Sequence, residues 1–277
     1  MRTRDTSYLL NGAFYRLAWW EWGDEAAPPV VCVHGLTRNG SDFAALAEAL
    51  SADFRVVAPD LPGRGRSDWL DQPALYAIPS YLTALSHLLS VIGRPVSWVG
   101  TSLGGLCGMM VTASHGAPVE KLVLNDIGPF IPASALARIR DYLAEAPQDF
   151  ADRAGLEAHL RRVHAPFGPL GDADWQRMAD NSGRMLPSGR VALHYDPAIA
   201  VPIAAAEPQD VDLWPVWARN SVPTLVLRGE FSDLLEPATL ARMAESGAET
   251  LTVPGCGHAP ALTDALTIGA IRAFLQG

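Results

Sequence analysis

Pro95-Val96-Ser97-Trp98-Val99-Gly100-Thr101-Ser102-Leu103-Gly104-Gly105 is the stretch from which the rest of the chain is read. A short apolar run of strand character passes through Gly-x-Ser-x-Gly into a helix-forming run from Leu106 onward. Glycines two before and two after the serine suit a sharp strand-to-helix turn. In such a turn the serine backbone is strained, and a Cβ at either flank would clash across it. The turn holds the Ser102 hydroxyl away from the sheet edge. It also leaves the Leu103 amide at a helix N-terminus, unpaired and free to bind an anion. The five-residue pattern by itself fits a plain Gly/Ser loop equally well. The surrounding chain has to decide.

Working outward, strands and helices alternate on both sides. Tyr8 to Trp22 predicts a β-hairpin around Asn11-Gly12, with Trp19, Trp20 and Trp22 packing on strand faces. Val30 to Val33 is a fully apolar strand, as buried parallel strands tend to be. A helix over 42–50, a strand over 55–58 and a helix over 78–92 lead to the serine strand. The serine helix follows, and then the strand Lys121 to Asp126. This alternation argues for a parallel sheet with crossover helices on its faces. From about residue 128 to 221 the rhythm changes to helical stretches without a convincing buried strand. They are expected over 133–145, 155–163 and 172–185. Val222 to Gly229 resumes the strand pattern, a helix over 237–245 follows, Glu249 to Val253 is the last strand, and Ala261 to Leu275 closes the chain as a helix.

Size and charge exclude several functions. A chain of 277 residues with 49% hydrophobic and 18% charged residues is globular and long enough for a sizeable core. No apolar run reaches the roughly 18 residues of a membrane span. Arg2 and Arg4 are followed by Asp5, Ser7 and Asn11, which interrupt any export signal. A net charge of −9 and a pI near 5.2 argue against nucleic acid or an anionic membrane as partners. Cys32, Cys107 and Cys256 are odd in number and form no CxxC pair, which fits a reducing, cytoplasmic setting. Oligomeric state is not readable.

In open parallel sheets, ligands gather at the carboxyl ends of the strands. Ser102, Asp233 and His258 each follow a strand, as do His34, Asp60 and Asp126. A serine hydroxyl needs an imidazole to take its proton, and the imidazole needs a carboxylate to hold its tautomer. Ser102, then Asp233, then His258 is the chain order expected of such a triad on this sheet. Gly255 and Gly257 let the histidine loop approach closely. His87, His115, His159, His164 and His194 read as surface or packing histidines. His34, beside Gly35, reads as a brace holding the Leu36 amide toward the serine. Leu36 and Leu103 would then form the oxyanion hole. Asp126 competes with Asp233 for the acid. Asp233 is preferred because it follows the penultimate strand, which leaves Asp126 as a loop-capping residue and Asp60 as a turn residue.

Together His34-Gly35, Asp60-Leu-Pro-Gly-x-Gly-x-Ser67, Gly100-Thr-Ser-Leu-Gly-Gly105, Arg228-Gly-x-x-Ser-Asp233 and Gly257-His258 resemble the α/β-hydrolase superfamily. The resemblance spans nearly the whole chain outside the insertion. It implies an α/β fold: an eight-stranded, mostly parallel sheet with an early antiparallel strand and helices on both faces. The core would be residues 1–128 and 222–277, with a helical cap over 129–221 between strands six and seven. It implies no metal and no organic cofactor. Haloalkane dehalogenases and epoxide hydrolases carry an aspartate where this chain has Ser102. Meta-cleavage C–C hydrolases usually carry a longer glycine-rich loop after His-Gly and a tryptophan after the histidine, where this chain has Leu36-Thr37 and Ala259. The Phe-Pro that often follows His-Gly in cofactor-free haloperoxidases is absent too.

The expected activity is therefore hydrolysis of a small-molecule carboxylic ester, or a lactone or thioester, through an acyl-enzyme on Ser102. A C–C bond hydrolase with the same triad and a non-catalytic ligand receptor on this fold are the alternatives. Phe130, Phe167, Trp175, Trp214 and Trp217 of the insertion, and Arg38 near the oxyanion loop, fit packing or bracing as well as binding.

Overall fold

The computed structural model describes residues 1–277. In chain order the elements begin with β1 (Arg2–Leu10), β2 (Ala13–Trp22), β3 (Pro29–Val33), α1 (Ala44–Leu50), β4 (Arg55–Pro59), α2 (Ile78–Ile92), β5 (Val96–Thr101), α3 (Leu103–Thr112) and β6 (Val119–Asn125). Next come β7 (Phe130–Ile131), α4 (Ala133–Ala144), α5 (Arg153–Val163), α6 (Asp172–Ser182), β8 (Gly183–Met185), β9 (Val191–Leu193), α7 (Ala200–Ala204), β10 (Val211–Asp212) and α8 (Trp214–Trp217). The chain ends with β11 (Thr224–Gly229), α9 (Pro237–Glu245), β12 (Glu249–Val253) and α10 (Ala265–Gln276).

Eight strands form one sheet in the order β1-β2-β4-β3-β5-β6-β11-β12. Both β1 with β2 and β2 with β4 pair antiparallel, and every later pair is parallel. The expected α/β architecture, with its early antiparallel strand, is the one observed. The unbroken apolar runs of the central strands have a direct cause. Successive side chains point to opposite faces, and both faces are covered. Val31 and Val33 of β3, Trp98 of β5, Leu122 and Leu124 of β6 and Val226 of β11 enter a core with α2 and α3. Val30, Cys32, Val99, Val123, Leu225 and Leu227 enter a second core with α1 and α10. The hairpin tryptophans divide the same way, Trp19 to the first core and Trp20 and Trp22 to the second.

Between β6 and β11 the chain forms α4 to α8 and two ladders, β7 with β10 and β8 with β9, of only two and three residues per strand. Strands so short leave no readable period, which is why the helical reading of this stretch has no place for them. The stretch is tied to the loop after β4 by Gly65 N to His194 O (3.1 Å), Asp196 N to Gly63 O (2.8 Å) and the bond from the Tyr76 hydroxyl to Asp196 (2.5 Å). No helix is long and apolar enough to cross a membrane, and all three cysteines are buried free thiols.

Candidate active site

The turn between β5 and α3 is sterically closed to anything but glycine at two positions. A Cβ on Gly100 would lie 2.4 Å from Gly104 O, and one on Gly104 would lie 1.9 Å from Val33 O. Ser102, held between them, takes φ 50° and ψ −114°, a conformation that non-glycine residues rarely adopt. It is the N-cap of α3, whose amino end has no side-chain cap. The Leu103 amide, first in that helix, therefore has no intrahelical acceptor and lies at the positive end of the helix dipole.

His258, in the loop after β12, reaches this serine. Its Nε2 is 3.0 Å from Ser102 Oγ, and its Nδ1 is 2.7 Å from Asp126 Oδ2. A carboxylate can only accept, so Nδ1 carries the proton and Nε2 faces the hydroxyl as an acceptor. Asn125, buried at the end of β6, braces both sides of this contact. Its carbonyl accepts from Ser102 N (3.0 Å), and its side-chain amide donates to Pro260 O (2.8 Å) in the histidine loop and to Thr101 Oγ1 (3.1 Å).

The acid beside His258 is Asp126, which corrects the preference for Asp233. Asp126 is fully buried and takes φ 56°. Besides the histidine it accepts from Gly229 N (2.8 Å, Oδ1) and from the Ser232 hydroxyl (2.6 Å, Oδ2). The Asp233 carboxylate is 49% exposed and paired with Arg138 of α4. The reason is local. A turn closed by Ser232 N to Gly229 O (2.9 Å) aims the Ser232 side chain at Asp126 and leaves the next residue facing α4. Since β6 and β11 are hydrogen-bonded neighbours, an acid at the end of either could reach one histidine. Chain order alone cannot choose between them. One signal was present: the inward residue stands three after Gly229, and that residue is a serine.

The loop after β3 lies against the serine, for a Cβ on Gly35 would be 3.7 Å from Ser102 Cβ. His34 is buried and accepts from Leu61 N through Nε2 (2.9 Å), so its Nδ1–H donates to Gly35 O (2.7 Å). Burial lowers its pKa to about 3, despite the opposing bond to Gly35, and the ring stays neutral. Leu36 follows, its carbonyl accepting from Arg64 Nε at 2.8 Å. Asp60 is buried beneath this loop, accepting from Gly40 N (2.7 Å) and Arg66 N (2.9 Å), and burial pushes its pKa up to about 6. Arg38 donates to both oxygens of Asp42 and to Ser182 Oγ, a brace between the loop and the end of α6.

Ser102 and His258 open onto a cavity of about 530 Å³. Leu36 and Thr37 line one side of it, and Ile139 and Tyr142 of α4, the end of α5 and the inner face of α6 line the other. Tyr142, which the sequence does not mark, and His164, which reads there as a surface or packing histidine, both line it. No local pattern marks them, because only the folding of the insertion back over the sheet brings them there. No group of three or more His, Cys, Asp or Glu is placed to hold a metal ion.

Residues 30–269 match the model of a family described as the alpha/beta hydrolase family. The chain is 39% identical to 3-hydroxybutyrate-oligomer hydrolase of Cupriavidus necator, over 95% of this chain and 94% of that one. It is 28% identical to 2-(acetamidomethylene)succinate hydrolase of Mesorhizobium japonicum, over 91% and 89%. A crystal structure of an alpha/beta hydrolase from Novosphingobium aromaticivorans superposes with a TM-score of 0.86 at 37% identity, covering 99% of this chain and 98% of that one.

Proposed function

The chain belongs to the alpha/beta hydrolase family and is a hydrolase, and on that premise we propose that it cleaves a carboxylic ester through an acyl-enzyme on Ser102. The observation that carries the reading is the line of hydrogen bonds from Asp126 through His258 to Ser102, ending at the cavity. As Ser102 Oγ attacks the acyl carbonyl, His258 Nε2 takes its proton and Asp126 stabilises the imidazolium. The tetrahedral oxyanion forms between the amides of Leu36 and Leu103, each donor worth on the order of 3 kcal/mol in the transition state. Collapse expels the alkoxide, which leaves as the alcohol with the proton from His258. Water, giving its proton to His258, then attacks the acyl-serine and releases the acid.

Residues 129–221 serve as a lid that shapes the substrate space, with 1–128 and 222–277 as the hydrolase core. The near full-length identity to the Cupriavidus necator enzyme supports short oligomers of 3-hydroxybutyrate as substrates. The cavity volume accommodates a small ester of that kind. The free buried thiols agree with a reducing, cytoplasmic setting. The test is direct. Purified protein should hydrolyse a linear 3-hydroxybutyrate dimer and take a fluorophosphonate label on Ser102, and Ser102→Ala should lose both. Turnover by Ser102→Ala at the wild-type rate would sink the mechanism. Labelling and p-nitrophenyl ester hydrolysis without turnover of the dimer would sink only the substrate.

A further inference from the structure

His164 ends α5 and lines the cavity, and it is only 9% exposed. Its ring stacks on Phe167, with centroids 4.5 Å apart, and its ring nitrogens, free of hydrogen bonds within the chain, are open to the cavity. A donor and an acceptor left free at a cavity wall are available to a ligand. Burial, helped by the charge of Arg38, holds the imidazole neutral, so it offers one N–H donor and one acceptor. The segment just beyond it is fastened to the histidine loop by Gly257 N to Pro166 O (2.7 Å) and Ala261 N to Phe167 O (3.2 Å). His164 thus lies on the wall that adjoins the reacting end of the cavity.

The charges of the same wall are unevenly neutralised. Among the arginines lining the cavity, Arg38 is held by Asp42 and Arg138 by Asp233. Arg177 of α6 has only a loose contact with Asp174, at 3.7 Å. Arg162, in the last turn of α5, forms no ion pair, and its single hydrogen bond goes to His159 Nδ1 (3.1 Å). Arg162 is thus the one cavity-lining arginine without a carboxylate within ion-pair distance. A cavity lined both by a guanidinium without a carboxylate and by a neutral N–H donor is one that a carboxylate completes.

We propose that Arg162 and His164, with Arg177 of the same cavity lining, bind a free carboxylate of the substrate, so that the enzyme selects ester acids over neutral esters. The proposal rests on the reading of Ser102 as the ester-cleaving nucleophile and names what the substrate carries beyond the scissile bond. A linear hydroxy-acid oligomer has such a terminal carboxylate. Its methyl ester lacks the charge but keeps the same internal ester.

The experiment compares kcat/KM for the linear 3-hydroxybutyrate dimer as free acid and as methyl ester. The comparison is made in wild type, Arg162→Gln and His164→Phe, the last keeping the stack on Phe167. The ratio of the two values is independent of how much of each variant is folded. Wild type should favour the acid by about tenfold or more, and each variant should cut that ratio about fivefold or more through KM of the acid. A wild-type ratio near one, or variants that leave the ratio unaltered, would overturn the proposal. If neither dimer is turned over, the substrate reading fails separately and inhibition of p-nitrophenyl acetate hydrolysis decides. Stronger inhibition by 3-hydroxybutyrate than by its methyl ester, lost in Arg162→Gln, supports the subsite. Equal inhibition by the two overturns it.

Discussion

The hydroxyl of Ser232 donates to Asp126 Oδ2 at 2.6 Å, and the same oxygen receives the Nδ1–H of His258 at 2.7 Å. With Gly229 N on Oδ1, this fully buried carboxylate has a donor on each oxygen, and the neighbouring strand end supplies a hydroxyl to the carboxylate beside His258. Removing the acid while keeping its shape should show its weight. Asp126→Asn is expected to lower kcat about 10³- to 10⁴-fold, because the amide no longer holds the productive histidine tautomer. Ser232→Ala should cost on the order of tenfold in kcat with KM little changed. Asp233→Asn breaks only a half-exposed pair with Arg138 and should keep kcat within about twofold. Steady-state kinetics on a p-nitrophenyl ester checks all three. A large loss in Asp233→Asn with none in Asp126→Asn would reverse the assignment.

Gly104 is where the elbow is least tolerant. A Cβ there would meet Val33 O at 1.9 Å, a backbone atom of the central strand β3 that cannot move aside. Gly104→Ala is expected to destabilise the protein by about 3 kcal/mol or more. Chemical denaturation measures it, and a change below about 1 kcal/mol would contradict the packing described.

Arg64 is 0% exposed and has no ion pair. It donates to Leu36 O (2.8 Å), Pro62 O (2.7 Å) and the Tyr81 hydroxyl (2.9 Å), with its guanidinium carbon 4.9 Å from the Tyr81 ring centroid. It holds the carbonyl of Leu36, the residue whose amide is proposed as an oxyanion donor. Arg64→Met should lower kcat/KM about 10- to 100-fold and weaken a boronate transition-state analogue in parallel. Loss of catalysis with unaltered boronate affinity would separate Arg64 from the oxyanion loop.

His34 and Asp60 impose opposite pH dependences on stability. For His34 the folded pKa, about 3, lies below the ordinary 6.5. Its contribution is therefore complete above pH 6.5 and is lost as pH falls toward 3. For Asp60 the folded pKa, about 6, lies above the ordinary 3.8, so its contribution is complete below pH 3.8 and declines as pH rises to 6. The two nearly cancel between about pH 4 and 6. His34→Gln removes one of them. The stability advantage of wild type over this variant should shrink as pH falls below 6.5, by at most about 1.4 kcal/mol per pH unit. Urea titrations at several pH values measure it. A constant difference would show that His34 is not buried neutral.

What was legible in the sequence was steric and local. Gly100, Ser102 and Gly104 specify the elbow because only glycine fits across that turn. The unbroken apolar runs of β3, β5, β6 and β11 specify strands covered on both faces. His258 stands out because it follows the last strand, with Gly255 and Gly257 just before it. The two short ladders between β6 and β11 were not legible, since two or three residues carry no period.

The chain by itself determined the fold and marked Ser102 and His258 as candidates, because backbone sterics and hydrophobic period act between residues close in sequence. Which carboxylate stands beside His258 was decided only in three dimensions. Pairing of β6 with β11 puts two strand ends within reach of one histidine. The turn after β11 then points Ser232 inward and Asp233 out to Arg138, leaving Asp126 as the buried carboxylate. The same holds for Arg162 and His164. They stand more than ninety residues from His258 in the chain, and share its cavity only because the segment after α5 is hydrogen-bonded to the histidine loop.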